Sequence, residues 1–180
     1  MTTGTPRNYW MVAIRPEYYE VARKQGFTLL GMGRAQKKRV QRMEIGDRVL
    51  FYVSDAMRFA ATATVASEFF EDETLTWPSL EQGETFPWRV KLTPNVVLDE
   101  RRQLDARIIG PRMEYVRKWT PERWPLAFVG PLHLIPKRDF QFIEFEMQRR
   151  HRPASSGLPR YEPRDDYNCV LESMAAEEMR

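Results

Sequence analysis

The chain has 180 residues, 42% of them hydrophobic and 12% aromatic, with 28 Lys and Arg against 25 Asp and Glu for a net charge of +3. That length builds one ordinary domain, and the near-balance of charge leaves any electrostatic field to local clusters. A single Cys excludes an intrachain disulfide and a thiolate-rich metal site, no apolar run approaches the ~20 residues of a membrane span, and Met1 to Arg7 contain no apolar signal core, so a cytoplasmic protein with no membrane contact is expected.

Tyr9 to Ile14 reads as a buried strand. Pro16 opens a helix, with Glu17 at its positive end and Tyr18, Val21 and Ala22 at helical spacing, and Gly26 stops it. Phe27 to Met32 reads as extended, ending in a Gly31-Met32-Gly33 turn, and Gln36 to Met43 as a short basic helix. Gly46-Asp47 is a turn, because Gly accepts the positive φ that side chains resist. In the strand that follows, Val49, Phe51 and Val53 alternate with Leu50 and Tyr52, so both faces are apolar and both must be covered. Ser54 to Arg58 is a hairpin connection to a second strand over Phe59 to Ala66. Glu68 to Gln82 is a long loop holding Trp77-Pro78, and Phe86 to Leu98 is a long strand broken or bulged by Pro94.

The second half is less regular. Leu104 to Ile109 reads as extended, Pro111 to Lys118 as a helix and Phe128 to Leu132 as a strand ending. A helix runs from Ile135-Pro136 through Met147, with Phe140, Ile143 and Met147 on one face, although Phe142 and Phe145 also fit alternation. From Gln148 the composition turns basic and then Pro/Ser/Gly-rich, which is linker composition, and Asn168 to Met179 offers a short last helix. Five strands and about four short helices in mixed order describe a small α+β barrel.

Arg34, Lys37, Lys38, Arg39 and Arg42 place five cations in a stretch free of acids. They are either a solvated helix face or a set of phosphate contacts. Trp77, beside Pro78 in a polar loop, is either a stacking platform or a cover over the barrel end. Trp10, Trp119 and Trp124 read as packing residues, and Trp88 as packing or pocket wall. An enzyme is not expected. His133 sits between Leu132 and Leu134 and reads as structural, Cys169 has no His partner nearby in sequence, and no phosphate loop, nucleotide fingerprint or metal motif occurs, so no cofactor is expected.

The ordered blocks Tyr9-Trp10-Met11-Val12-Ala13-Ile14, Glu17 to Val21, Gly46-Asp47-Arg48-Val49-Leu50-Phe51-Tyr52, Glu84 to Lys91, Arg123-Trp124, Phe128-Val129-Gly130 and Leu134 to Phe140 resemble EVE domains. These belong to the PUA-like superfamily and are similar in fold to YTH domains. The resemblance covers residues 8–147, leaving 1–7 as an extension and 148–180 as linker and tail, where a protein partner could dock. It implies a small PUA-like mixed β-barrel flanked by short helices, binding DNA or RNA that carries a modified base. By the same resemblance the base pocket would be made by Arg15, Leu30, Gly31, Met32, Gly33, Trp77, Pro78 and Trp88, with phosphates held by Arg34, Lys37, Lys38, Arg39 and Arg42. Related domains often carry an aromatic wall where this sequence has Leu30. The alternative is an interaction or small-ligand-sensing module of the same fold with no nucleic-acid role.

Overall fold

The computed structural model describes residues 6–151. Its elements in chain order are β1 (Tyr9–Ile14), α1 (Pro16–Lys24), β2 (Leu29–Met32), α2 (Lys37–Val40), β3 (Arg48–Val53), β4 (Arg58–Val65), β5 (Phe70–Glu71), β6 (Trp88–Val97), β7 (Leu104–Asp105), α3 (Ala106–Ile109), β8 (Leu132–Leu134) and α4 (Lys137–His151), with 3-10 turns between several of them. The strands form one curled mixed sheet in the order β2-β6-β4-β3-β1-β8, with β5 added to β6 and β7 to β4. β1 and β3 are parallel, from Tyr9 opposite Arg48 to Ile14 opposite Val53, and the other pairs are antiparallel. This is the α+β barrel-like architecture expected.

The doubly apolar central strands have a simple cause, since the sheet carries a core on each face. Trp10, Val12 and Ile14 of β1 and Val49, Phe51 and Val53 of β3 point into one core with α1 and Phe27. Tyr9, Met11, Leu50 and Tyr52 point into the other, with α4 and the segment 104–128. The period-2 geometry of a strand makes this division automatic. The Gly46 turn has φ 96°, and the Asp47 beside it is buried. Its carboxylate accepts hydrogen bonds from the Asn8 and Glu44 N–H groups (3.0 and 3.1 Å), from Asn8 Nδ2 (3.2 Å) and from Trp10 Nε1 (2.9 Å). One buried anion with four donors thus ties the start of β1 to the start of β3. Pro94 does bulge β6, because Ala63 faces Pro94 while Thr62 faces Val96. On the outer face Arg48 and Thr62 Oγ1 both donate to Glu144 of α4, binding that helix to β3 and β4.

Segment 104–134 differs from the sequence reading. Only Leu104–Asp105 is strand, and Asp105 then caps α3 by accepting from the Arg107 N–H at 2.9 Å. Residues 111–118 form no α-helix. They make 3-10 turns at Gly110–Arg112 and Glu114–Val116, split by extended, fully buried Met113. The second turn is held from outside, since Asp139 accepts from the Glu114 and Tyr115 N–H groups, each at 2.8 Å. Trp124–Phe128 is also 3-10, and β8 begins only at Leu132. Trp124 packs over Gly110 as expected of a core residue, but Trp119 is exposed. α4 continues through His151, so Gln148 to His151 are helix rather than linker; the expected last helix over 168–179 lies outside the described residues.

Candidate functional site

A cavity of about 510 Å³ opens at the seam between the two edges of the curled sheet. One side is edge strand β2 together with Gly33, Trp77 and Phe86. The other is the end of β1 from Val12 to Ile14, with Pro125 and Phe128–Pro131, the segment that leads into edge strand β8. Phe51 and Tyr52 of β3 and Tyr18 of α1 also line it. The walls are therefore largely aromatic and aliphatic, with Arg15, Ser54 and Glu84 among the polar side chains of the lining. Arg15 donates to Glu81 at 2.8 Å, and the Tyr18 hydroxyl donates to Glu84. Burial, and then the Glu84 hydrogen bond, push the Tyr18 phenol up to about 12, so it stays a donor at neutral pH.

Trp77 is half-buried, and its position is set by backbone. A Cβ added at Gly31 would lie 2.4 Å from the ring, so only glycine lets the indole lie against β2. Phe86 tilts against the ring at 5.7 Å, and the Arg89 guanidinium lies 5.2 Å from its centroid. Arg89 is opposite Gly31 in the β2–β6 ladder and is almost fully buried. It donates to Asp72 at 2.7 Å, to the Phe86 carbonyl at 3.1 Å and to the Thr74 carbonyl. A charge inside the domain is tolerated because its N–H groups are satisfied, and the bonds to Asp72 and Thr74 fasten the 72–77 loop over it. Trp77 thus lines the cavity and covers the sheet at once.

Of the predicted pocket residues, Arg15, Leu30, Gly31, Met32, Gly33 and Trp77 line the cavity. The close approach at Gly31 is taken by Trp77, and Gly31 and Met32 are paired strand residues rather than a turn, which starts only after Gly33. Pro78 is exposed and outside the lining, and Trp88 also lies outside it. Its indole N–H donates to the Arg34 carbonyl at 3.2 Å, and Lys37 Nζ lies 4.4 Å over its ring, so it anchors the basic segment instead of walling the cavity.

That segment is short 3-10 helix (Arg34–Gln36) followed by α2, with Val40 and Met43 buried beneath it. Arg34, Lys37, Lys38, Arg39 and Arg42 are all exposed. Arg34 pairs with Glu73 at 2.7 Å. Arg39 Nη1 donates to the Leu132 carbonyl at 2.6 Å, so the segment crosses the seam from β6 to β8.

Sequence reasoning missed Tyr18, Glu84, Phe86 and Phe128–Pro131 as cavity residues and Arg89 as an organiser of the wall. Glu84, Phe86 and Phe128–Gly130 lie inside the blocks that carry the family resemblance, which is the signal that was there to use. Arg89 lies in one of those blocks as well, but a charged residue in an alternating strand reads as solvent-facing. Among the described residues no group of three or more His, Cys, Asp or Glu is placed to hold a metal ion, and no helix is long and apolar enough to cross a membrane.

The family model of the EVE domain matches residues 8–124. A UPF0310 protein of Pyrococcus abyssi is 23% identical over 146 residues, spanning 76% of this chain and 97% of that one. The YTH domain of the Zygosaccharomyces rouxii MRB1 protein, solved in complex with N6-methyladenosine RNA, superposes with a TM-score of 0.55 at 18% identity, covering 79% of this chain and 88% of that one. The Pho92 YTH domain in complex with m6A gives 0.55 at 17% identity over 80% and 89% of the two chains. At these identities the likeness to the solved structures is one of fold.

Proposed function

Because the chain belongs to the EVE domain family, we propose that it is a nucleic-acid-binding module that takes one modified nucleobase into the seam cavity and acts by binding rather than by catalysis. The observation that carries this reading is the joining of two features at one seam. The first is a 510 Å³ cavity with aromatic walls. The second is a row of exposed cations that starts at Arg34, next to cavity residue Gly33, and crosses to β8. A flat apolar space suits a base, and stacking on an indole is worth ~1–3 kcal/mol whatever the base. Arg15 and the Glu84 carboxylate offer a donor and an acceptor to its edge, and Lys37, Lys38, Arg39 and Arg42 supply sequence-independent attraction for phosphates. The fold-level neighbours bound to N6-methyladenosine support the choice of a methylated base as the first probe. A base within a duplex would have to be flipped out to enter.

The test is titration with paired RNA and paired DNA oligonucleotides that differ by one N6-methyl group on adenine. Burying one added carbon is worth ~0.8 kcal/mol, about fourfold in affinity. Leu30 is part of the wall, so Leu30→Trp should widen the methyl preference by adding an aromatic face. Equal affinity within every pair, for both proteins, refutes methyl-base reading by this cavity.

A further inference from the structure

Of the five tryptophans, Trp119 alone is exposed, at 41%. Trp10, Trp88 and Trp124 are buried, and Trp77 is half-buried. Among the described residues neither an aromatic ring nor a cation is stacked on Trp119. A Trp this open is uncommon, because it leaves a large apolar ring in water. Its position is nonetheless fixed. Its backbone N–H donates to the carbonyl of buried Val116 at 2.9 Å, and Pro121 restricts the chain just beyond it. The Arg123 N–H then bonds the Thr120 carbonyl at 2.9 Å, and the Leu126 N–H bonds the Arg123 carbonyl at 3.0 Å. Behind this loop Tyr115 stacks on Phe128 at 6.3 Å, and Trp124 meets the same ring edge-on at 5.6 Å. Phe128 is also a wall of the seam cavity, so the cavity and the loop that carries Trp119 share one aromatic support. An exposed ring that is already held in place loses little freedom when a ligand stacks on it.

The charge around the ring says what fits it. Arg117, Lys118 and Arg123 are exposed, and among the described residues none of them pairs with an acid. Glu122 is the one acid between Tyr115 and Pro131. The centre of a protein interface is depleted of such charges, whereas a flat ring among cations is the composition that takes stacked bases of a polyanion. A turn closed by an i to i+3 bond brings its end Cα atoms within ~7 Å. One peptide step and two such turns therefore place Trp119 within about 18 Å of Leu126, the neighbour of cavity residue Pro125. We propose that Trp119 is a second stacking platform, for an unpaired base of the same strand whose modified base enters the seam cavity. At the ~3.4 Å spacing of stacked nucleotides that base is at most about five positions away. This assignment rests on the base-pocket reading and extends it, since a base can lie on Trp119 only where the strand beside the modified base is itself unpaired.

The experiment titrates the full chain with single-stranded RNA and DNA that carry N6-methyladenosine at the centre and five nucleotides on each side, and with the N6-methyladenosine nucleoside alone. Trp119→Ala should weaken the strand by about 5- to 150-fold while leaving nucleoside affinity unchanged. Abasic sites introduced one at a time should reveal one flanking position whose loss weakens binding to the wild-type protein by a similar factor and weakens Trp119→Ala no further. Trp119→Phe keeps a ring and should recover most of the affinity, which separates lost stacking from a disturbed turn. Pairing the flanks with complementary strands, with the modified base left unpaired, should erase the difference between wild type and Trp119→Ala. Wild-type affinity of Trp119→Ala for the strand overturns the platform and leaves the base pocket standing. So does a loss in Trp119→Ala that no abasic position shares, or one that survives in full with paired flanks. Concentration-dependent dimerisation of the wild-type chain that Trp119→Ala abolishes, with strand affinity unmoved, makes the ring a contact between copies of this chain and equally overturns the proposal. No nucleoside binding, with the strand still weakened by Trp119→Ala and restored by Trp119→Phe, sinks the base pocket and keeps Trp119 as a stacking site.

Discussion

Gly31→Ala isolates the packing on which the cavity wall depends. Alanine keeps the backbone N–H, so the pairing of β2 with Arg89 can persist. Its Cβ would lie 2.4 and 2.5 Å from two carbons of the Trp77 ring. The ring would have to retreat by about 1 Å or more to reach ordinary van der Waals separation, and overpacking of this kind costs ~1–3 kcal/mol. Replacing Gly by Ala also restricts the unfolded chain, which stabilises by ~0.4–1 kcal/mol where the native backbone permits it. The expected net loss in urea denaturation is about 1–2 kcal/mol. In a Trp77→Ala background the obstruction is gone, and the same change should be neutral or stabilising by up to ~1 kcal/mol. The two sites are therefore coupled by a double-mutant cycle, with a change of sign as its signature. Affinity for a base-containing oligonucleotide should fall in Gly31→Ala by part of the ~1–3 kcal/mol of a stacked base. An equal cost of Gly31→Ala in both backgrounds would refute the close approach of ring and backbone, and with it the account of how Trp77 is held.

Arg89→Met removes the two hydrogen bonds that fasten the 72–77 loop, to Asp72 and Thr74, and the one to the Phe86 carbonyl; the expected loss is about 1–3 kcal/mol with faster proteolytic cleavage in that loop, and an unchanged cleavage pattern would show that the loop is held by something else. Neutralising Lys37 and Lys38 to Gln should flatten the salt dependence of oligonucleotide affinity, by about 0.7 in slope for each phosphate that is no longer neutralised, whereas an unaltered slope would make both lysines surface charges only. Burial holds the His133 imidazole below its usual 6.5. The unfolded chain then takes up a proton that the fold refuses, so stability is full above about 6.5 and is lost as pH falls from there through the lower folded value. His133→Gln should remove that component of the pH–stability profile, and a variant that keeps the same dependence between pH 7 and 5 would place its origin in another group.

The parts of the fold that are legible in the sequence are those whose pattern is enforced locally. β1 and β3 are apolar on both faces because both faces are covered, and the Gly46 turn announces itself by residue type. The segment 104–131 is not legible in this way, because its shape comes from partners far away in sequence. Asp139 shapes the turn at Glu114, and Trp124 lies on Gly110. The same holds at the cavity. Trp77 and the β2 residues stand out as unusual residues in an expected place. The fact that Arg89 is buried, and that Trp88 turns to the basic segment instead, follows only from which loop folds over β6. A buried arginine in an alternating strand is indistinguishable from an exposed one until that loop is in place.

The seam gives a physical reason for the cavity and the cations to occur together. β2 and β8 end the strand order, and unpaired edge strands invite association with other chains. Lysines and arginines placed along such an edge are a common defence, because a pairing strand would have to desolvate them. The segment from Arg34 to Arg42 meets that need here. Its Arg34 carbonyl takes the Trp88 indole N–H on one side of the seam, and Arg39 takes the Leu132 carbonyl of β8 on the other. A positive cover over two exposed edges is already most of a polyanion site, and the incomplete closure beneath it is already a cavity. Binding therefore adds little to what the fold requires. The residues whose placement the edges do not explain are Arg42, without an acid partner among the described residues, and Trp77, held half-buried by a glycine and a buried arginine. Those two positions are where selection for a ligand, as distinct from selection for a soluble edge, should be sought. Arg42→Gln and Gly31→Ala should accordingly change affinity more than aggregation rate.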